Sequence, residues 1–208
     1  MLTSNYLSSK LPNKYAILAG PNFAKEVAED KPAEANIAMQ AIEDAKNLSA
    51  KYDMQNFRLI PSDDPITLQV SGILKNIIAI KSGMMHASKS GENAKASLIV
   101  HGLQEIGYIA AKLGGNPENS LQSPGVLGDL ILTCNSTTSR NTRFGYDLFK
   151  FIQIGASREQ VKDFILKYPM LIEGLQSARL IKKFLPNLFD SKLQQELVIT
   201  SEMVHLLT

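Results

Sequence analysis

Three groups of polar residues in this 208-residue chain have types and spacings that suit chemistry. The first is one lysine in an aliphatic helical pattern, Gly72-Ile73-Leu74-Lys75-Asn76-Ile77-Ile78-Ala79. On a helical wheel Val70, Ile73, Leu74, Ile77, Ile78 and Ile80 form a broad apolar stripe, with Gly72, Lys75, Ala79 and Ser82 roughly opposite. Small side chains admit a ligand or a neighbouring backbone, and Lys75 then projects into that contact. Taken alone, Lys75 reads rather as a lysine facing water, since lysines are rarely buried. The second group is Gly128-Asp129, whose carboxylate reads as functional or as the first-turn acid of a helix. The third runs from Thr133 to Arg143 with no large aliphatic side chain. Its hydroxyls, amides and guanidinium groups suit a phosphate, because arginine offers a planar fork that matches oxyanion geometry. The alternative there is a polar loop in which Ser139 or Asn141 caps the next helix.

Composition narrows the classes. At 44% hydrophobic the chain can bury a sizeable core, and its net charge of +2 is close to neutral. No long Lys/Arg run is interleaved with aromatics, which argues against nucleic acid. The one cysteine, Cys134, excludes an internal disulfide framework and a multi-cysteine metal site, and fits a cytoplasmic protein. His86, His101 and His205 are far apart in sequence and read as solvated or packed rather than as metal ligands. Every apolar run is interrupted short of the ~18 residues a membrane span needs, and the N-terminus lacks the order of a signal peptide.

Two regions must position these groups. In the first, Tyr15–Ala19 reads as a strand ended by Gly20-Pro21, Phe23–Ala28 as a short helix and Ala35–Met39 as a second strand. Ala41–Lys51 follows as a helix and Phe57–Ile60 as a third strand. This alternation predicts a partial Rossmann-type α/β sheet with three parallel strands and an edge that needs covering. At Ser62-Asp63-Asp64-Pro65 the pattern changes, with Asp64 able to cap a helix that begins at Pro65. Beyond that point the chain reads as an all-α domain. Its expected helices are Ile66–Ser88, Glu92–Leu113, Asp129–Cys134, Asn141 onward, Arg158–Tyr168, Gly174–Phe184 and Lys192–Leu207, with a loop through Asn116-Pro117 and Ser123-Pro124-Gly125. The predicted division is residues 1–63 and 64–208.

Several segments, in order, carry a resemblance. Leu18-Ala19-Gly20-Pro21-Asn22-Phe23-Ala24-Lys25-Glu26-Val27 resembles the stretch that closes the cofactor domain of NAD(P)-dependent glycerol-3-phosphate dehydrogenases. The Gly72–Ile80 segment resembles that family's catalytic-lysine helix. Gly91-Glu92-Asn93-Ala94-Lys95-Ala96, Gly128–Cys134, Ser139-Arg140-Asn141-Thr142-Arg143-Phe144-Gly145 and Glu173-Gly174 continue the series.

The resemblance implies interconversion of sn-glycerol 3-phosphate and dihydroxyacetone phosphate with NADH or NADPH, in glycerophospholipid precursor synthesis. It implies that Lys75 accepts the hydroxyl proton as hydride leaves, which a lysine does where burial or a nearby cation disfavours its charged form. It implies that Asp129, Ser139, Arg140 and Asn141 hold the glycerol phosphate, that Gly20 and Asn22 line the substrate, and that Ala24, Arg140, Leu171 and Glu173 lie near the nucleotide.

The chain also departs from the family pattern. No G-x-G-x-x-G follows a strand, so the family's phosphate-binding βαβ unit and a second lysine are expected upstream of Met1. Asn22 stands where Ser or Thr is usual, Glu92 for Asp and His101 for Arg. Ala87-Ser88-Lys89-Ser90 replaces a glycine-rich stretch, and Leu197-Val198-Ile199 replaces Leu-Pro-Ile. Two further readings follow from these departures. One is half of a split enzyme whose partner is a separate N-terminal half. The other is a non-catalytic remnant acting as a helical dimerisation or phosphate-binding module.

Overall fold

The structure is a computed structural model and describes residues 2–3, 6, 15–136, 138–184 and 196–208. Thr137, residues 192–195 of the last expected helix and most of residues 1–14 lie outside the described residues. The apolar run before the Gly20-Pro21 breaker forms β1 (Ile17–Ala19). It is followed by α1 (Ala24–Ala28), β2 (Ala33–Ala38), α2 (Ile42–Tyr52) and β3 (Phe57–Ser62). The sheet order is β1-β2-β3.

β2 and β3 run parallel, with Ala35 opposite Leu59. β1 does not follow the expected parallel pattern. It lies antiparallel to β2, with Ile17 opposite Ala38, so the sheet is mixed. Helix length explains the difference. The 11 residues of α2 rise about 16 Å, enough to carry the chain back along a strand. The 5 residues of α1 rise only about 7 Å, against roughly 20 Å for the 6 residues of β2. The short helix after β1 goes with a connection that turns round into an antiparallel neighbour, whereas the longer α2 lies in a full crossover. Ala35, Ile37 and Leu59 form the core on the α2 side, with Leu48 and Phe57 packed against them. Ser49 Oγ donates to the Leu59 carbonyl, and Asp53 Oδ1 accepts the Leu59 N–H at 2.8 Å, which fastens α2 to β3.

All regular elements after β3, among the described residues, are helical. α3 (Pro65–Ala87) begins at its proline, and Asp64 caps it by accepting the Thr67 N–H at 2.9 Å. The other Asp64 oxygen accepts from Asn116 N at 2.9 Å and Ser120 Oγ at 3.0 Å, so both oxygens of this buried carboxylate are hydrogen-bonded. α4 (Glu92–Lys112) follows. The expected loop after it contains two helical turns instead, α5 (Pro117–Ser120) and a π-helical turn (Pro124–Gly128). Each opens at a proline, where the missing N–H costs nothing and the fixed φ favours a turn. α6 (Asp129–Asn135), α7 (Arg140–Gln153), α8 (Arg158–Lys167), α9 (Glu173–Phe184) and α10 (Val198–Leu207) complete the chain.

The chain forms two compact units, and no single cut separates them. Met1–Gly72 gathers with Ile106–Leu132, and Ile73–Glu105 gathers with Thr133–Thr208. In the second unit α3 is buried on nearly every side. Leu74, Ile77, Ile78 and Ile80 are covered, but so are Ala79 and Ser82 on the face expected to lie opposite the apolar stripe. The cause is a close backbone approach. A Cβ on Gly145 of α7 would collide with the Ile80 carbonyl, and one on Gly83 of α3 would collide with that of Thr142. The small-residue face thus receives a helix.

Candidate functional site

The second unit brings three helices together around α3. Lys75 is half-buried there, and Asn76, one residue further on, is buried. Ser139 is the N-cap of α7, its hydroxyl accepting the Thr142 N–H at 3.3 Å, which leaves Arg140 and Asn141 in the first turn. The Thr142 hydroxyl donates to the Thr133 carbonyl at 2.8 Å, and Ser82 Oγ donates to the Cys134 carbonyl at 2.8 Å. These two bonds fasten the end of α6 to α7 and α3.

A relay of hydrogen bonds then fixes the relative rotation of α3, α7 and α9. The backbone N–H of Gly174 donates to Asn141 Oδ1 at 2.9 Å, and Asn141 Nδ2 donates to Asn76 Oδ1 at 3.0 Å. Because a backbone N–H can only donate, the first bond decides which way the Asn141 amide faces, and that decides the second. Gly174 has no room for a side chain: a Cβ would lie 2.5 Å from Ile80 Cδ1 and 2.8 Å from the Asn76 carbonyl oxygen. Beside this buried relay, Arg140 Nη2 donates to Glu173 Oε1 at 2.6 Å, with both side chains about half exposed. Leu171, just ahead of α9, is 66% exposed. The two guanidinium groups of the polar segment have different surroundings. Arg140 meets Glu173, whereas the charge of Arg143 is felt at Tyr168.

The first unit holds the other predicted residues. Gly20 closes β1 where a Cβ would sit 2.5 Å from the Glu34 carbonyl oxygen, so only glycine fits. Asn22 is half-buried, and Ala24 is exposed at the start of α1. The π-helical turn is held by Asn36, whose Oδ1 accepts the Gly125 N–H at 2.7 Å. A Cβ on Gly128 would be 3.3 Å from Pro21 Cγ, which brings the Gly20-Pro21-Asn22 turn to the Gly128-Asp129 turn. Asp129 is buried at the first position of α6.

So Lys75, Ser139, Arg140, Asn141 and Glu173 gather in one unit, and Gly20, Asn22 and Asp129 in the other. Two residues of this machinery carry no role in the sequence reading. Asn36 is a polar residue inside the apolar run Ala35–Met39, and that exception was the available signal. Asn76 gave no signal apart from its place beside Lys75. Among the described residues no helix is long and apolar enough to cross a membrane, and no group of three or more His, Cys, Asp or Glu could hold a metal ion.

A small mixed α/β sheet is followed by helices, and Asn76, next to Lys75, is bonded to Asn141 at the Ser-Arg-Asn helix start. Comparisons with known proteins narrow the class. Residues 64–208 match the family model described as NAD-dependent glycerol-3-phosphate dehydrogenase C-terminus, and residues 1–45 match the corresponding N-terminus. Glycerol-3-phosphate dehydrogenase [NAD(P)+] of Rickettsia massiliae (strain Mtu5) is 45% identical over 183 residues, covering 86% of this chain and 53% of the relative. That of Rickettsia bellii (strain OSU 85-389) is 44% identical over 183 residues, covering 86% and 56%. The crystal structure of glycerol-3-phosphate dehydrogenase from Coxiella burnetii aligns with a TM-score of 0.77 at 30% identity, covering 99% of this chain and 60% of that one. The Plasmodium falciparum enzyme shares the fold, with a TM-score of 0.82 at 21% identity. The chain belongs to the NAD-dependent glycerol-3-phosphate dehydrogenase family and spans about half the length of the curated relatives it matches.

Proposed function

We propose that this chain carries the substrate-holding and proton-accepting part of an NAD(P)-dependent glycerol-3-phosphate dehydrogenase, which interconverts sn-glycerol 3-phosphate and dihydroxyacetone phosphate for glycerophospholipid synthesis in the cytoplasm. The observation that carries this reading is the Gly174–Asn141–Asn76 relay, which holds the Lys75 helix against the start of the Ser139-Arg140-Asn141 helix.

In this reading Lys75 takes the hydroxyl proton when the alcohol is oxidised and returns it when the ketone is reduced. Ser139, Arg140 and Asn141 hold the glycerol phosphate at the start of α7, where unpaired backbone N–H groups and a guanidinium favour an anion. Gly20, Asn22 and Asp129 are further substrate contacts. The boundary near residue 63 divides the nucleotide-binding and substrate-binding portions.

The nicotinamide cofactor supplies or accepts the hydride. The residues present fit one end of it. Arg140 is half exposed and has N–H groups beyond the one given to Glu173, and Leu171 offers an exposed apolar surface beside them. Arg140, Leu171, Glu173 and Ala24 would hold it. The chain has no glycine-rich turn for a pyrophosphate, so that turn comes from residues outside these 208, supplied by a further polypeptide segment.

The test is dihydroxyacetone-phosphate-dependent oxidation of NADH and NADPH. The chain is assayed alone and co-expressed with a polypeptide bearing a G-x-G-x-x-G turn, with Lys75→Ala alongside. Turnover is expected only in the co-expressed form and is lost in Lys75→Ala. Turnover that survives Lys75→Ala, or failure of the folded chain to bind sn-glycerol 3-phosphate, overturns the reading.

A further inference from the structure

Outside the Lys75 constellation, the second unit carries a groove of about 670 Å³ among α7, α8, α9 and α10. Its floor is aliphatic: Ile152 from α7, Val161 and Ile165 from α8, and Leu206 and Leu207 from α10. Leu166, on the same groove, is 73% exposed. Two pairs of cations line the same groove. Arg158 and Lys162 lie one turn apart on α8, and Arg179 and Lys182 lie one turn apart on α9.

Among the described residues, these four cations lie together on one groove without a carboxylate partner. Elsewhere Lys31, Lys46, Arg58, Lys81, Arg140 and Lys167 each meet a carboxylate. None of the four does so among the described residues, and no acidic side chain lines the groove. In a chain of net charge +2 this is a local concentration of charge on an apolar trough. It lies at the far end of α7, about 18 Å along the helix from Arg140 to Ile152 at 1.5 Å per residue.

The geometry points to an acidic amphipathic helix of a partner polypeptide as the occupant. An apolar trough with pairs of cations from two different helices is the complement of an apolar helical stripe accompanied by carboxylates. A single phosphate headgroup calls for one cluster of cations, whereas these come as two pairs on two helices. A lipid surface is flat, whereas this face is concave.

The probe is a synthetic helix of about 18 residues, five turns long, with leucine at i, i+3, i+4 and i+7 and glutamate on both flanks. Its binding to the full chain is followed by fluorescence anisotropy, against a scrambled peptide of the same composition and against phosphatidylglycerol vesicles. Binding of the patterned peptide alone is expected. The double reversal Lys162→Glu with Lys182→Glu should weaken it about tenfold or more, as should Leu166→Asp. All three positions are exposed, so the variants keep the fold, and circular dichroism checks this. Equal binding of the scrambled peptide, binding untouched by charge reversal, or vesicle binding without peptide binding overturns the proposal.

Discussion

If the Gly174–Asn141–Asn76 relay fixes the helices, Asn76 and Asn141 must be energetically coupled. Asn141→Ala removes two hydrogen bonds at once, the one from the Gly174 N–H and the one to Asn76 Oδ1, in a buried setting. At about 1–3 kcal/mol for each of the two groups that lose a bond, the loss of stability is roughly 2–6 kcal/mol. Asn76→Ala removes only the second bond and strands Asn141 Nδ2, at about 1–2 kcal/mol. In the double variant the Asn76–Asn141 bond cannot be lost twice, and only the Gly174 N–H remains stranded. The double variant should therefore be no less stable than Asn141→Ala alone, giving a coupling of at least about 1 kcal/mol. Urea unfolding of the four proteins at one pH measures this. Effects that add to within about 0.3 kcal/mol would show that the two amides act independently, and the relay would lose its standing as the element that aligns the site.

Other perturbations probe the surroundings. Arg140→Ala should weaken sn-glycerol 3-phosphate binding about tenfold or more by calorimetry while costing under ~1 kcal/mol of stability, because its ion pair with Glu173 is half exposed. A large stability loss would make Arg140 a structural residue. Gly145→Ala drives a Cβ into the Ile80 backbone and should cost about 3 kcal/mol or more in urea unfolding; a near-neutral effect would disprove the close helix approach. Glu105 is buried and caps α10 by accepting from Ile199 N, Thr200 N and Thr200 Oγ1 at 2.6–2.8 Å. Burial raises its carboxyl above the ordinary 4.5, against the lowering effect of those hydrogen bonds and of His101. The folded state then holds this proton more tightly than the unfolded state. Stability from this group should fall as pH rises from about 4.5 through the raised value. Comparing the pH dependence of unfolding with that of Glu105→Gln isolates the slope, and identical slopes would refute the assignment.

The sequence made the helices and the change at residue 64 readable because Asp64-Pro65 and the apolar periodicity are local signals. The direction of β1 was not readable. It depends on how far the connecting helix reaches, and Phe23–Ala28 differs from a full crossover helix only in length. The helical turns at Pro117 and Pro124 were hidden because proline marks a loop and a helix start alike. Burial of the Ala79 and Ser82 face was unreadable from α3 itself, since its cause lies in Gly145, more than sixty residues away in sequence. Lys75 and Ser139-Arg140-Asn141 stood out by residue type. Asn36 and Asn76 did not, because an amide that anchors backbone or another amide looks in sequence like any other polar residue.

One arrangement recurs at each of the three helices that meet in the second unit. Asn76 is buried beside half-buried Lys75, Asn141 is buried beside exposed Arg140, and Gly174 is buried beside exposed Glu173. The three buried residues bond in series, while their neighbours are the groups assigned to proton transfer, phosphate and nucleotide. Successive helical residues are turned by about 100°, so fixing one fixes the bearing of the next. A flexible lysine or arginine gains a defined starting direction from the anchor beside it. This arrangement accounts for two features of the chain together: the anchors are amides and a glycine, chosen for bonding geometry and closeness, and each sits directly next to a charged residue instead of one turn away.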